Sequence, residues 1–165
     1  MLRTRQLIPP LTARTISGQI IHAWDFKQKK NLVIALLEAN RARDWEFAER
    51  LAARASDIEA HDAVALIIFS ATLPAALETI RAAEIILAAD PSGRATRAYL
   101  GDDAFGPAGQ VSSGVFVADR YGELFAQWIA KREEPLPGPD AILSALRQIE
   151  IACEECGVSN WPVDG

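Results

Sequence analysis

Cys153 and Cys156 are the only two cysteines in a chain of 165 residues, so any thiol chemistry rests on this Cys-x-x-Cys pair. The spacing admits dithiol–disulfide cycling, and it equally supplies two of the four ligands that zinc requires. A helix continuing through both positions would set the sulfurs on one face, at i and i+3. Local charge opposes an activated nucleophile. Glu150, Glu154 and Glu155 surround the pair, and neighbouring negative charge disfavours thiolate. A thioredoxin-type pair opens a helix, whereas this one closes a helix, where the dipole gives thiolate no support. The expected nucleophile is sluggish unless a partner supplies positive charge.

In the metal reading, Cys153-Glu-Glu-Cys-Gly157 has the form of half a zinc knuckle, the glycine letting backbone N–H groups approach sulfur. His22 and His61 are the only histidines, so either one of them joins the cysteines or two chains share zinc across a homodimer. A third reading leaves the pair as free thiols or as a local disulfide that pins the tail, with Trp161-Pro162 packed back on the domain.

The elements that must position the pair follow from length and patterning. Half of the positions are apolar, enough for one full core, so residues 1–152 are expected to form a single domain and 153–165 a cysteine-bearing tail. A net charge of -5 and a pI near 5.1 argue against nucleic-acid and anionic-membrane partners. The basic N-terminus lacks the apolar stretch of an export signal, and no apolar run reaches the roughly 18 residues that span a bilayer. The expectation is a cytoplasmic protein with reduced thiols, no cofactor unless zinc, and a thiol reductant, a protein or a second copy as partner. No phosphate loop, dinucleotide fingerprint or serine triad is present. Asp102-Asp103 and Glu133-Glu134 read as solvated pairs, and Trp24, Trp45, Trp128 and Trp161 as core or tail anchors.

Residues 17–24 alternate as a short strand, and residues 31–37 form a near-continuous apolar run that suits a strand buried on both faces. From 41 to 55, Trp45, Ala48, Leu51, Ala52 and Ala55 recur at helical spacing, with Asn40 as the expected N-cap. A second buried strand is read at 63–69, a helix at 72–83 with Pro74 in its first turn, and a third strand at 84–90. Asp90-Pro-Ser-Gly93 is a turn leading to a short helix at 94–100. Residues 115–118 and 123–129 flank Asp119-Arg-Tyr-Gly122 as a hairpin. Pro139 starts a last helix with Ile142, Leu143, Leu146 and Ile149 on one stripe. This order describes an α/β fold, a central mixed sheet with helices on both faces.

Together, Gly18, the strand at 31–37 with its following helix, Asp90-Pro-Ser-Gly93 with Arg97-Ala-Tyr99, and above all Gly114-Val-Phe-Val-Ala-Asp-Arg-Tyr-Gly122 resemble the peroxiredoxin-type branch of the thioredoxin fold. That is the alkyl hydroperoxide reductase and thiol-specific antioxidant family, and the resemblance covers residues 8–152. It implies a thioredoxin-like fold and a redox activity. It also implies a peroxidatic cysteine in the first turn of the helix after the strand at 31–37. Residues 38–45 are Glu-Ala-Asn-Arg-Ala-Arg-Asp-Trp, with no thiol, threonine or proline, so the family's nucleophile is missing there. Ser113 stands where the resemblance implies an activating arginine, and the edge Gln110-Val-Ser-Ser113 lacks the expected proline, Pro107 lying too early. Arg41 and Arg43 could make the pocket at Asn40–Asp44 attract anions, but the preferred reading is that both are solvated helix-start residues. The resemblance therefore implies a degenerate peroxidase site. Any redox or oxidoreductase activity falls to Cys153 and Cys156.

Overall fold

The apolar runs at 31–37 and 63–69 form β3 (Asn31–Leu37) and β4 (Ala63–Phe69), each buried along its whole length. They pair in parallel, from Asn31 opposite Ala63 to Leu37 opposite Phe69. Strands covered on both faces show no polar alternation, which explains the continuous runs. In this computed structural model, residues 2–73, 75–77, 79–80, 82–105, 112–131 and 134–152 are described. Cys153, Cys156, Gly157, Trp161, Pro107 and Glu133 lie outside them.

Around this centre stand β1 (Thr12–Thr15), β2 (Ile20–His22), β5 (Ile85–Ala89), β6 (Ser113–Ala118) and β7 (Leu124–Ala130). Among the described residues they make one seven-stranded sheet in the order β2-β1-β5-β4-β3-β6-β7. The neighbours β5, β4 and β3 run parallel and every other pairing is antiparallel, so the sheet is mixed. Helices α1 (Ala42–Ala52), α2 (Ala55–Ala60), α3 (Arg94–Leu100) and α4 (Pro139–Ile151) cover it on both faces. Val33, Ala35 and Leu37 pack in one layer with Phe47, Leu51, Ile58, Ile142 and Leu146 of α1, α2 and α4. The alternate residues Leu32, Ile34 and Leu36 pack in the other layer with Ala95, Tyr99 and Leu100 of α3. Tyr99 also donates its hydroxyl to the Pro9 carbonyl at 2.8 Å, tying the N-terminal segment to this layer.

Several local expectations change. The strand expected at 17–24 is only Ile20–His22, and it forms a hairpin with β1 about a turn containing Gly18 at φ +85°. The helix expected at 72–83 is a single 3-10 turn, Ala75–Leu77, among the described residues. Leu73, Leu77 and Ile80 have helical spacing, but Ala82 already bridges Ile85, so the chain turns into β5 where the helix would have continued. The helix expected from 41 to 55 is divided into α1 and α2. By contrast, α3 spans the expected residues, and the hairpin of β6 and β7 closes as expected. Asp119 Oδ1 accepts the Tyr121 and Glu123 N–H groups at 2.9 Å each, and Gly122 takes the left-handed φ of +87° that the turn requires.

The β1–β2 hairpin joins the rest of the sheet through only two residue pairs, Arg14 with Ala89 and Thr15 with Ala88. Beyond that short ladder an open groove of about 620 Å³ runs past Ile16, Leu73, Ile80, Ile86 and Leu87. No described helix is long and apolar enough to cross a membrane.

Candidate functional site

The end of β3 delivers the chain to the first turn of α1, the place where the resemblance implies a reactive cysteine. A carboxylate stands there instead. Asp44 is completely buried in the first turn of α1. Its Oδ2 accepts the Glu38 backbone N–H at 2.8 Å and a short hydrogen bond from the hydroxyl of Ser113, itself fully buried at the start of β6. Arg41 Nη1 donates to the same hydroxyl at 3.4 Å, and Arg41 Nη2 pairs with Glu38 Oε2 at 2.7 Å. Arg43 Nε lies 3.9 Å from Asp44 Oδ1, which has no hydrogen-bond partner among the described residues, and Arg43 Nη2 donates to the Lys131 carbonyl at 3.3 Å. A negative side chain near a helix N-terminus is favoured by the dipole, so the position suits an anion that the protein itself provides.

The arginines are therefore not solvated helix-start residues. The Arg41 side chain is only 15 % exposed and that of Arg43 31 %, because each is drawn inward by a carboxylate. The cap also differs from expectation. Arg41, not Asn40, has the extended N-cap backbone, no side chain caps it, and the Trp45 indole N–H satisfies the Ala39 carbonyl at 2.6 Å. The signal for the Asp44 cluster was present in the spacing. Asp44 lies three, four and seven residues before Phe47, Ala48 and Leu51, which are the buried stripe of α1. An acidic residue on an apolar stripe marks a buried, partnered carboxylate. Ser113 gave no such signal, because its proximity to Asp44 depends on the pairing of β3 with β6.

Cys153 and Cys156 lie outside the described residues. Their approach is defined up to α4, which closes at Ile151 with Ala152 in extended backbone. His61, one of the two histidines weighed as a ligand, meets this end of α4: its Nδ1 is 2.9 Å from Glu150 Oε1. His22 sits in β2 at the sheet's outer edge, bonded to Thr12 Oγ1 at 2.9 Å and stacked on Trp24 with ring centroids 4.4 Å apart. Asp102 pairs with Arg97 Nε at 2.7 Å with its carboxylate largely exposed, as a solvated acid does. Among the described residues, no three metal-ligating side chains converge.

No protein-family model matches the chain, and no curated protein matches it. Solved structures do. The mitochondrial 2-Cys peroxiredoxin of Plasmodium falciparum is 17 % identical with a TM-score of 0.70, covering 94 % of this chain and 100 % of that one. Peroxidoxin BcpB of Mycobacterium tuberculosis is 16 % identical with a TM-score of 0.71, covering 90 % and 99 %. A Chlorobium tepidum protein assigned as the thiol:disulfide interchange protein DsbE is 18 % identical with a TM-score of 0.62, covering 92 % and 97 %. Likeness at these identities is likeness of fold. The chain has the peroxiredoxin-type thioredoxin fold, and what it does must be argued from its own residues.

Proposed function

We propose that the protein is a thiol–disulfide oxidoreductase of peroxiredoxin-like fold whose redox couple is Cys153 and Cys156. It is not a conventional peroxidase. One observation supports this reading: the buried Asp44 carboxylate, closed over by Ser113, occupies the first turn of α1, and the chain has no thiol there. With two cysteines in the chain, dithiol oxidation can occur only at 153 and 156. The couple gives up two electrons and two protons to a disulfide substrate, and a thiol reductant returns them. In this reading residues 1–152 are the scaffold and 153–165 the reactive tail.

The test is a disulfide-coupled turnover assay on wild type, Cys153→Ser, Cys156→Ser and the double variant, with hydrogen peroxide as a parallel substrate. Turnover of disulfide lost in every variant, with no peroxide turnover in any, is the expected pattern. Equal activity in wild type and double variant ends the reading.

A second reading is a non-catalytic binding or dimerising protein that keeps the pair as a structural feature or as a zinc half-site shared between two chains. The charge beside the pair favours it. Glu150, Glu154 and Glu155 hold back thiolate but attract a divalent cation.

A further inference from the structure

We propose that the open edge of β5 at Leu87, with the apolar groove beside it, binds an extended, uncharged peptide segment of a partner protein by strand addition. This goes beyond the cysteine reading and does not depend on it.

Hydrogen-bond parity along β5 fixes which of its backbone groups face outward. The Ala65 N–H donates to the Glu84 carbonyl at 2.7 Å and the Asp90 N–H to the Phe69 carbonyl at 2.9 Å, at the two ends of the parallel pairing with β4. Ile86 and Ala88 therefore bond to β4, while Ile85, Leu87 and Ala89 turn their N–H and C=O groups to the other edge. On that edge Ala89 is opposite Arg14 of β1, and the Ile85 N–H donates to the Ala82 carbonyl at 3.1 Å. Leu87 would be met by Ile16, but β1 ends at Thr15. The Thr15 N–H bonds back to the Gln19 carbonyl at 2.8 Å, and its carbonyl accepts the Gly18 N–H at 2.9 Å. Among the described residues neither backbone group of Leu87 has a hydrogen-bond partner. One strand residue thus offers a donor and an acceptor together, the pair that a single residue of an incoming antiparallel strand satisfies.

The surroundings select the occupant. β1 and then β2 continue the sheet beyond this edge, so the opening is a recess in the sheet, roughly 10 Å long over Ile85–Leu87. A second sheet cannot bring its edge into such a recess; a single extended segment can. Leu87, Leu73 and Ile80 pack on the face of the sheet that α1 and α4 cover, and Ile86 on the opposite face. A cross-strand partner of Leu87 shares its face, so the residue opposite it meets Leu73 and Ile80, and the residues on either side turn to the face of Ile86. Ile16, 53 % exposed, lines the groove at the hairpin end. The described lining carries no acid or base, and its polar side chains, Thr15 and Ser17, bond each other through their hydroxyls at 2.9 Å. A charged side chain would lose water there without gaining a partner, so the segment that fits is apolar on both faces.

Nuclear magnetic resonance on the full-length, isotope-labelled chain tests this, with the capped peptide acetyl-Ser-Val-Leu-Val-Ser-amide as probe. In the free chain the Leu87 amide should exchange with solvent faster than those of Ile86 and Ala88, which bond to β4. On titration it should shift and its exchange should slow. A probe N-methylated at its leucine lacks the donor, and a probe with aspartate in place of leucine carries a charge; each should bind about tenfold more weakly or worse. Ile16→Asp should weaken the unmodified probe by a similar factor. Ile20→Asp, on a side chain equally exposed at 51 % but outside the groove lining, should match wild type. No shift at Leu87 at millimolar probe overturns the proposal. Equal binding of the N-methylated probe overturns it in favour of a site for small apolar molecules, and protection of Leu87 that grows with protein concentration overturns it in favour of a second copy. None of these outcomes involves the cysteines, so the oxidoreductase reading is judged separately, by its own turnover assay.

Discussion

Replacing Asp44 with alanine removes a buried anion on which two donors converge, and the structure sets the size of the effect. Oδ2 accepts the Glu38 N–H at 2.8 Å and the Ser113 hydroxyl, while Arg43 approaches Oδ1 at 3.9 Å. Hydrogen bonds to a charged group contribute about 1.5–3 kcal/mol each, and donors left unsatisfied cost about 1–3 kcal/mol. The terms do not add. Removing the carboxylate also removes its own desolvation cost, and Ser113 keeps Arg41 as a neighbour. A net loss of about 2–4 kcal/mol is expected, which for a domain of this size lowers Tm by roughly 5–15 °C. Asp44→Asn retains an oxygen acceptor without the charge and should lose about half as much. Urea unfolding at pH 7 on both variants, completed as a double-mutant cycle with Ser113→Ala, measures the coupling directly. A loss below about 0.5 kcal/mol for Asp44→Ala, typical of an ordinary surface site, would refute the reasoning.

Two further outcomes follow from other buried groups. A Cβ on Gly114 would lie 2.7 Å from Leu100 Cδ2 and 3.1 Å from Phe116 Cε2, so Gly114→Ala should cost about 1–3 kcal/mol by overpacking, measurable as a shift of the urea midpoint. Burial holds the Asp119 carboxyl above the ordinary aspartate value, even though the Glu123 and Tyr121 N–H groups pull the other way. Its folded pKa exceeds its unfolded one, so its contribution is fully present below about pH 4 and is lost as pH rises through the raised value. Asp119→Asn keeps the acceptor oxygen and should therefore gain stability relative to wild type on going from pH 3.5 to pH 7, by urea unfolding at each pH. A constant difference between the two proteins across that range would count against this assignment.

The central strands and the last helix were legible because burial alone decides them. A run such as Leu-Val-Ile-Ala-Leu-Leu has no solvent face to offer, and Ile142, Leu143 and Leu146 have only one buried stripe to form. Where burial competes with chain geometry, patterning misled. Leu73, Leu77 and Ile80 are spaced for a helix, yet the return into β5 at Ile85 leaves only a single turn. β1 was not visible because Thr12 and Arg14 are exposed and Ala13 is its only buried residue, too small an apolar signal for a strand. The candidate site was half legible. Asp44 stood on the apolar stripe of its helix, but its hydroxyl partner comes from 69 residues further along the chain, a pairing that only the sheet brings about. The contact of His61 with Glu150 spans 89 residues and was invisible for the same reason.

The short ladder between β1 and β5 divides the sheet into parts of unequal durability. β3 is held to β4 by seven residue pairs and to β6 by five, whereas the hairpin hangs on the sheet by two. Its hold comes mainly from Ala13, Ile21 and Ala23 in the core layer. Side-chain contacts of this kind part together, without the backbone bonds that protect a central strand. The hairpin is therefore expected to open before the central strands, and amide exchange should release Ile20–His22 well before Asn31–Leu37. The sheet is thus a five-stranded body with a thinly attached margin, and that margin borders the apolar groove.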